Sequence, residues 1–273
     1  MTQIAFIGGG NMATAIIGGL MAQGDFVASK VRVCDPDEEK RRRLNAQYGV
    51  TTCATNEEAI EGAELVILAV KPQVMKEVLE PVKEQLSAQQ PVVLSIAAGI
   101  SIDRIRNWTG CESVVRCMPN TPALVRECAS ALVAAEQVSD EQKKLANRVM
   151  EAAGITVWLD QESDIDAVTA LSGSGPAYYF LLMEAMIASG VKLGLSEDVS
   201  RKLTLQTAMG AGKMATRSDV TPDELRRRVT SPGGTTEQAL FTFEGAHLRD
   251  IVDAAMAAAH SRSIELNEQS DQD

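Results

Sequence analysis

Phe6-Ile7-Gly8-Gly9-Gly10-Asn11-Met12-Ala13 carries an apolar run straight into three glycines and out again into a helical pattern. The spacing is G-x-G-x-x-A. Glycines there let the backbone turn sharply and approach a pyrophosphate. The helix that follows offers that anion its unpaired N–H groups and a partial positive charge. A glycine motif alone is weak, but its place between a first strand and a first helix makes it a dinucleotide fingerprint. Outward from it, apolar runs at 3–7, 31–34, 65–69, 92–96 and 113–117 alternate with helical patterns at 12–23, 38–48, 73–85 and 102–108. Continuously apolar strands separated by helices imply a parallel sheet covered on both faces. Two more strands, at 131–134 and 156–159, flank a helix at 140–152. The fold class is therefore α/β, with a doubly wound Rossmann-type domain over residues 1–160.

In such a sheet the ligand lies at the carboxyl ends of the strands. The fingerprint residues Gly8, Gly10, Asn11 and Met12 begin the expected cofactor groove, and Asn56 is assigned to it as well. Asp35 ends the strand 31–34, where a carboxylate can hydrogen-bond an adenosine ribose and repel a 2′-phosphate. That tilts the cofactor, NADPH or NADH, toward NADH. The other reading of Asp35 is a cap for the helix after Pro36, and Arg41-Arg42-Arg43 offers a guanidinium to a 2′-phosphate. Ala69-Val70-Lys71-Pro72 and Ser95-Ile96-Ala97-Ala98-Gly99 follow two later strands, and small residues there let a nicotinamide lie against backbone. Lys71 reads either as a catalytic acid or as a surface lysine.

After Asp160 strand signals stop, and 163–171, 175–193, 196–216, 222–229, 235–244 and 248–266 all read as helices. This second, all-helical domain, 161–273, has one segment, 177–191, that is apolar nearly all round. Such a helix in a small domain is expected to pack on a second subunit. Ala208, Gly210, Ala211, Gly212 and Ala215 permit close helix approach, so a homo-oligomer through this half is expected, an intrachain core being the alternative. The tail 269–273 is polar and expected to fray. The net charge of −11, from 37 acidic and 26 basic residues, disfavours nucleic acid and anionic membranes as partners. The longest apolar stretch is shorter than a membrane span and is interrupted by Glu184. No secretory signal pattern opens the chain, so a cytoplasmic location is expected. Five cysteines without C-x-x-C spacing and two histidines thirteen residues apart argue against a metal site.

Further motifs carry a specific resemblance. Arg116-Cys117-Met118-Pro119-Asn120-Thr121-Pro122, Leu171-Ser172-Gly173-Ser174-Gly175-Pro176-Ala177-Tyr178 and Ser231-Pro232-Gly233-Gly234-Thr235-Thr236 join the glycine motif and Ala69-Val70-Lys71-Pro72-Gln73. With them the chain resembles the Δ1-pyrroline-5-carboxylate reductase family over essentially its whole length. The resemblance implies NAD(P)H reduction of the cyclic imine of 1-pyrroline-5-carboxylate, a small-molecule substrate, to L-proline. It also implies a helical domain that dimerises by interlocking. It places the substrate carboxylate on the loop matching Ser231–Thr236 and sets the Thr236 hydroxyl, the candidate catalytic group, at the ring nitrogen. One departure is Asp35, where many members carry a neutral residue and a nearby arginine. It bears on the usual NADPH preference and not on the reaction.

The chemistry agrees. Pro232-Gly233-Gly234 forces a tight turn before a helix near Thr235, which presents N–H groups to an anion. The amides of Gly233, Gly234 and Thr235 are the expected carboxylate donors, and a plain turn and helix cap is the bland reading. Met118 and Asn120 end a strand where ligands lie, and Asn120 is the candidate for shaping the pocket. Ser172 and Ser174 join two helices and either line the pocket or permit close packing. A protonated cyclic imine accepts hydride readily, so orientation, water exclusion and one hydrogen bond to nitrogen suffice, with no histidine or carboxylate pair. Rival readings are a reductase of another cyclic imino acid, a β-hydroxyacid-type dehydrogenase using Lys192, Lys202 or Lys213, and a non-enzymatic NAD(P)H sensor.

Overall fold

A computed structural model describes residues 2–270, with side chains through 268. Its centre is an eight-stranded sheet in the order β3-β2-β1-β4-β5-β6-β7-β8. The strands are β1 (Ile4–Ile7), β2 (Val31–Cys34), β3 (Thr51–Cys53), β4 (Leu65–Leu68), β5 (Val92–Ser95), β6 (Val114–Met118), β7 (Cys128–Ala134) and β8 (Gly154–Trp158). The first six run parallel, with β1 paired to β2 on one side and β4 on the other, as in Ile7 against both Cys34 and Leu68. The order in which strands are added therefore reverses beside β1, the kind of switch point at which such sheets bind ligands. Ile4, Phe6, Ile7, Leu65, Ile67, Leu68 and Leu94 are all buried. Each such side chain contributes about 1.5–3 kcal/mol by leaving water.

The helices of this layer are α1 (Asn11–Gln23), α2 (Glu38–Tyr48), α3 (Asn56–Ile60), α4 (Met75–Leu79), α5 (Lys83–Gln89), α6 (Ile102–Thr109) and α7 (Asp140–Glu151). The short α8 (Asp164–Val168) follows. Three features depart from the sequence pattern. Strand β3 is a three-residue edge whose Thr51 is exposed, too short and too polar to show as an apolar run. The helix expected at 73–85 is interrupted, because Pro81 cannot continue it and lies within a 3₁₀ turn, Glu80–Val82, between α4 and α5. Strand β7 pairs antiparallel with β6, since only a 3₁₀ turn, Thr121–Val125, joins them and no crossover helix intervenes.

The chain forms two compact units, residues 1–174 with 259–273, and residues 175–258. The second holds α9 (Gly175–Lys192), α10 (Glu197–Thr216), α11 (Pro222–Arg228), α12 (Thr235–Gly245) and the start of α13 (Leu248–Ser270). The last part of α13 belongs to the first unit and is tied there by polar contacts. Ser263 Oγ and Asn267 Nδ2 each donate to Asp166 Oδ1 at 2.6 Å, and buried Arg116 reaches both Asn267 Oδ1 at 3.2 Å and Glu162 Oε1 at 2.9 Å. Residues 269 and 270, expected to fray, continue α13 as helix, while 271–273 lie outside the described residues.

In the second unit only Gly175, Ser200 and Thr204 are buried. Tyr179, Phe180, Leu181, Leu203, Phe241 and Ile251 are all more than half exposed. A helical unit without one buried large apolar side chain lacks the driving force to be stable uncovered, and a continuous apolar surface of this kind marks an association face. No helix among the described residues is long and apolar enough to cross a membrane.

Candidate active site

The glycine loop is built from the sheet upward. Gly8 continues β1 with φ +102°, a conformation L side chains rarely adopt, and a Cβ there would stand 2.6 Å from the Ala69 carbonyl oxygen. Its N–H donates to the Cys34 carbonyl at 2.8 Å. Gly10 differs from it. Its backbone, φ −71° and ψ −174°, suits any residue, and a Cβ there would meet nothing within 4 Å. Neither backbone conformation nor internal packing requires glycine at this position. Gly10 is the N-cap of α1, contributes no side-chain cap, and is followed by a first turn without acidic residues. The first amides of α1, on Asn11, Met12 and Ala13, have no acceptor within the helix. Open space beside an uncapped helix start fits the pyrophosphate of a dinucleotide.

Asp35 is buried, and its carboxylate is turned into the protein. Oδ2 accepts the Gly9 N–H at 2.9 Å and Oδ1 accepts the Asp37 N–H at 2.9 Å. Lys40 Nζ lies 3.6 Å from Oδ1, and Arg41 Nη1 donates to the Asp35 and Pro36 carbonyls. This acid braces the glycine loop and does not cap α2, whose N-cap is Asp37. Asn56 begins α3 just past β3, with its amide toward the Val78 carbonyl at 3.5 Å. Ala69, Val70, Lys71 and Pro72 leave the end of β4, with Lys71 exposed. Ser95 ends β5 fully buried, Ala97 is buried, Ala98 is exposed, and Gly99 turns at φ +74°. All these predicted cofactor residues thus lie at the carboxyl edge of the parallel strands.

A second group forms at the end of β6. Asn120 is buried, its Nδ2 donates to the Ser172 carbonyl at 3.0 Å, and its Oδ1 accepts the Ala129 N–H at 3.0 Å. Its amide group holds the wall together through both of its polar atoms. The segment it holds, Thr169–Gly173, is a π-helical turn, closed by the Ser174 N–H on the Thr169 carbonyl at 2.8 Å. Such turns recur at functional sites because they displace one face of a helix. A Cβ on Gly173 would stand 2.5 Å from Met118 Cε, so the turn packs tightly on β6. Met118, Asn120, Ser172 and Ser174 are therefore brought together. Ser172 Oγ donates back to the Val168 carbonyl.

In the second unit, Ser231-Pro232-Gly233-Gly234 forms a turn with Pro second and Gly233 at φ +70° third, closed by the Gly234 N–H on the Ser231 carbonyl at 3.0 Å. That is the residue pattern of a type II turn. Gly234 then caps α12. Two of the three amides expected to bind a carboxylate are already donating. Gly234 bonds Ser231, and Gly233 bonds Glu237 Oε2 at 2.8 Å. The amide of Thr235 is left, joined by those of Thr236 and Glu237 in the first turn of α12. The Thr236 hydroxyl, half-buried, makes no hydrogen bond among the described residues.

Sequence reasoning missed two contacts. Gly9 meets Asp35 from 26 residues away, which no local pattern reveals. Glu237 stands three residues after the N-cap, a spacing that does signal a side chain folding back on the helix start. The five cysteines are free and buried, and Cys34 stands opposite Cys53 in the β2–β3 register. Burial pushes the Cys34 and Cys111 thiols up to about 11. No group of three or more metal-ligating side chains is assembled among the described residues. An open cleft of about 690 Å³ between α7 and β8, lined by Lys143, Asn147, Arg148 and Trp158, includes none of the predicted site residues.

Comparison with known proteins accords with this geometry. The family described as pyrroline-5-carboxylate reductase dimerisation matches residues 162–266, and that described as NADP oxidoreductase coenzyme F420-dependent matches residues 3–99. A Pseudomonas aeruginosa pyrroline-5-carboxylate reductase is 51% identical over 98% of this chain and 97% of its own. The structure of a Coxiella burnetii pyrroline-5-carboxylate reductase superposes with TM-score 0.94 at 42% identity, covering 97% of this chain and 98% of that one. A Plasmodium falciparum pyrroline carboxylate reductase with NADP bound gives TM-score 0.85 at 31% identity, covering 97% and 98%. A nicotinamide dinucleotide is accordingly the cofactor class, and homo-oligomerisation goes with the matched dimerisation family. The chain belongs to the pyrroline-5-carboxylate reductase family.

Proposed function

We propose that this protein reduces 1-pyrroline-5-carboxylate to L-proline, in the cytoplasm, as a homo-oligomer joined through its helical unit. Residues 1–160 serve the dinucleotide, and 161–273 serve dimerisation and the substrate. The observation that carries the reading is the loop before α12, where a closed Pro-Gly turn leaves the Thr235 and Thr236 amides and the Thr236 hydroxyl without internal partners. A helix start of this kind suits a carboxylate, and a hydroxyl beside it suits the ring nitrogen.

The dinucleotide supplies a hydride when bound. Gly10 and the first amides of α1 would hold its pyrophosphate, and Ala69–Pro72 and Ser95–Gly99 would line its nicotinamide half. The Asp35 carboxylate is turned toward the Gly9 and Asp37 amides, Lys40 at 3.6 Å offsets its charge, and Arg41 adds a further positive charge on the same rim. That supports NADPH over the NADH preference expected from Asp35 alone. The Thr235 and Thr236 amides fix the substrate carboxylate. Thr236 Oγ1 orients the ring nitrogen and passes it a proton from water. At the carboxyl edge of the sheet, Met118 and the π turn braced by Asn120 would keep water from the nicotinamide half of the cofactor. The experiment is steady-state oxidation of NADPH and NADH with the imine, wild type beside Thr236→Ala.

A further inference from the structure

We propose that Glu237 sets how tightly the α12 loop holds a carboxylate, by keeping a carboxylate of its own there; this rests on the reading of that loop as the substrate site. Glu237 Oε2 accepts the Gly233 N–H at 2.8 Å. An incoming carboxylate therefore finds the Gly233 amide taken and the Gly234 amide closed on Ser231. It must bind the amides of Thr235, Thr236 and Glu237, within one helical turn of a negative charge.

No ion pair among the described residues joins Glu237 to a cation. Glu237 is the only charged residue between Thr230 and Leu240. The closest arginines in sequence are paired elsewhere, Arg226 with Glu244, Arg227 with Asp223 and Glu224, and Arg228 with Glu224. The loop thus offers an anion its backbone dipoles, and one like charge in the same turn weakens that binding. The same bond holds Gly233 in its left-handed turn, so the side chain trades affinity for a fixed loop. Such a residue selects for how the substrate's carboxylate sits and keeps substrate and product carboxylates from binding too tightly.

The test separates charge from shape. Glu237→Gln keeps an oxygen to accept the Gly233 N–H and removes the charge. With 1-pyrroline-5-carboxylate as substrate, KM falls about two- to fivefold, the size expected of one charge near a helix start. The kcat changes less than twofold. With 1-pyrroline, which lacks the carboxylate, KM stays at the wild-type value. Circular dichroism of the variant confirms the fold. An unchanged or raised KM for the carboxylated imine, or an equal fall for both imines, overturns the proposal. Wild-type protein that turns over neither imine overturns the functional reading itself, and this inference with it.

Discussion

Replacing Gly10 by alanine separates the needs of the fold from the needs of the ligand. A Cβ at Gly10 meets no atom within 4 Å, and φ −71° is ordinary for alanine. Alanine is a poorer N-cap than glycine by about 0.5–1 kcal/mol. Stiffening the unfolded chain returns about 0.4–1 kcal/mol. The net change is within about 0.5 kcal/mol, a shift of roughly 2 °C or less in melting temperature. A methyl where the pyrophosphate must approach should nonetheless raise the Kd for dinucleotide by about ten- to a hundredfold, since a lost close contact and its displaced hydrogen bonds are worth about 1.5–3 kcal/mol. Gly8→Ala is the internal control. Its Cβ would sit 2.6 Å from the Ala69 oxygen at φ +102°, and overpacking plus left-handed strain should cost about 2–5 kcal/mol. Thermal melting without ligand and calorimetric titration with NADPH measure the two effects. Normal dinucleotide affinity in Gly10→Ala would refute the placing of the pyrophosphate, and a large loss of its stability would refute the claim that the fold does not need this glycine.

Two further perturbations probe the rim and the core. Asp35→Asn removes the charge that holds the Gly9 and Asp37 amides, so denaturant unfolding should lose about 1–3 kcal/mol while the NADPH-to-NADH kcat/KM ratio changes little; wild-type stability with a strong shift toward NADPH would mean the carboxylate faces the ribose. The Cys34 and Cys111 thiols, raised by burial from 9.0 to about 11, hold their protons more tightly folded than unfolded. Their contribution to stability is complete below pH 9 and is lost as pH rises toward about 11; a denaturation series from pH 8 to 11 that stays flat would show that the burial is not maintained.

The doubly wound sheet was readable because its strands are continuous apolar runs. Val92-Val93-Leu94-Ser95 and Leu65-Val66-Ile67-Leu68 announce burial on both faces with no help from partners. Strand β3 escaped because Thr51 and Thr52 sit at an edge and owe their pairing to β2, a tertiary neighbour. The carboxyl edge of the sheet was also legible, since the ends of apolar runs fix where the parallel strands stop. The use of each side chain was not. Asp35 looked the same in sequence whether it faced a ribose or the Gly9 amide, and only the fold brings Gly9 within 2.9 Å. Asn120 was singled out for the pocket, and it braces Ser172 and Ala129 from opposite ends of one amide, at sequence separations no periodicity encodes. In the helical unit, the greasy surface of α9 was visible as composition, and its exposure in the single chain is what that composition implies for an oligomer.

Absorbance at 340 nm with 1-pyrroline-5-carboxylate, using NADPH and NADH in parallel, reads the proposed reaction itself. Substrate-dependent oxidation of the cofactor with L-proline as product is the expected result. In Thr236→Ala, kcat/KM should fall about ten- to a hundredfold, as removal of one well-placed donor implies. Folded protein that binds dinucleotide and yet oxidises neither cofactor in the presence of the imine would contradict it.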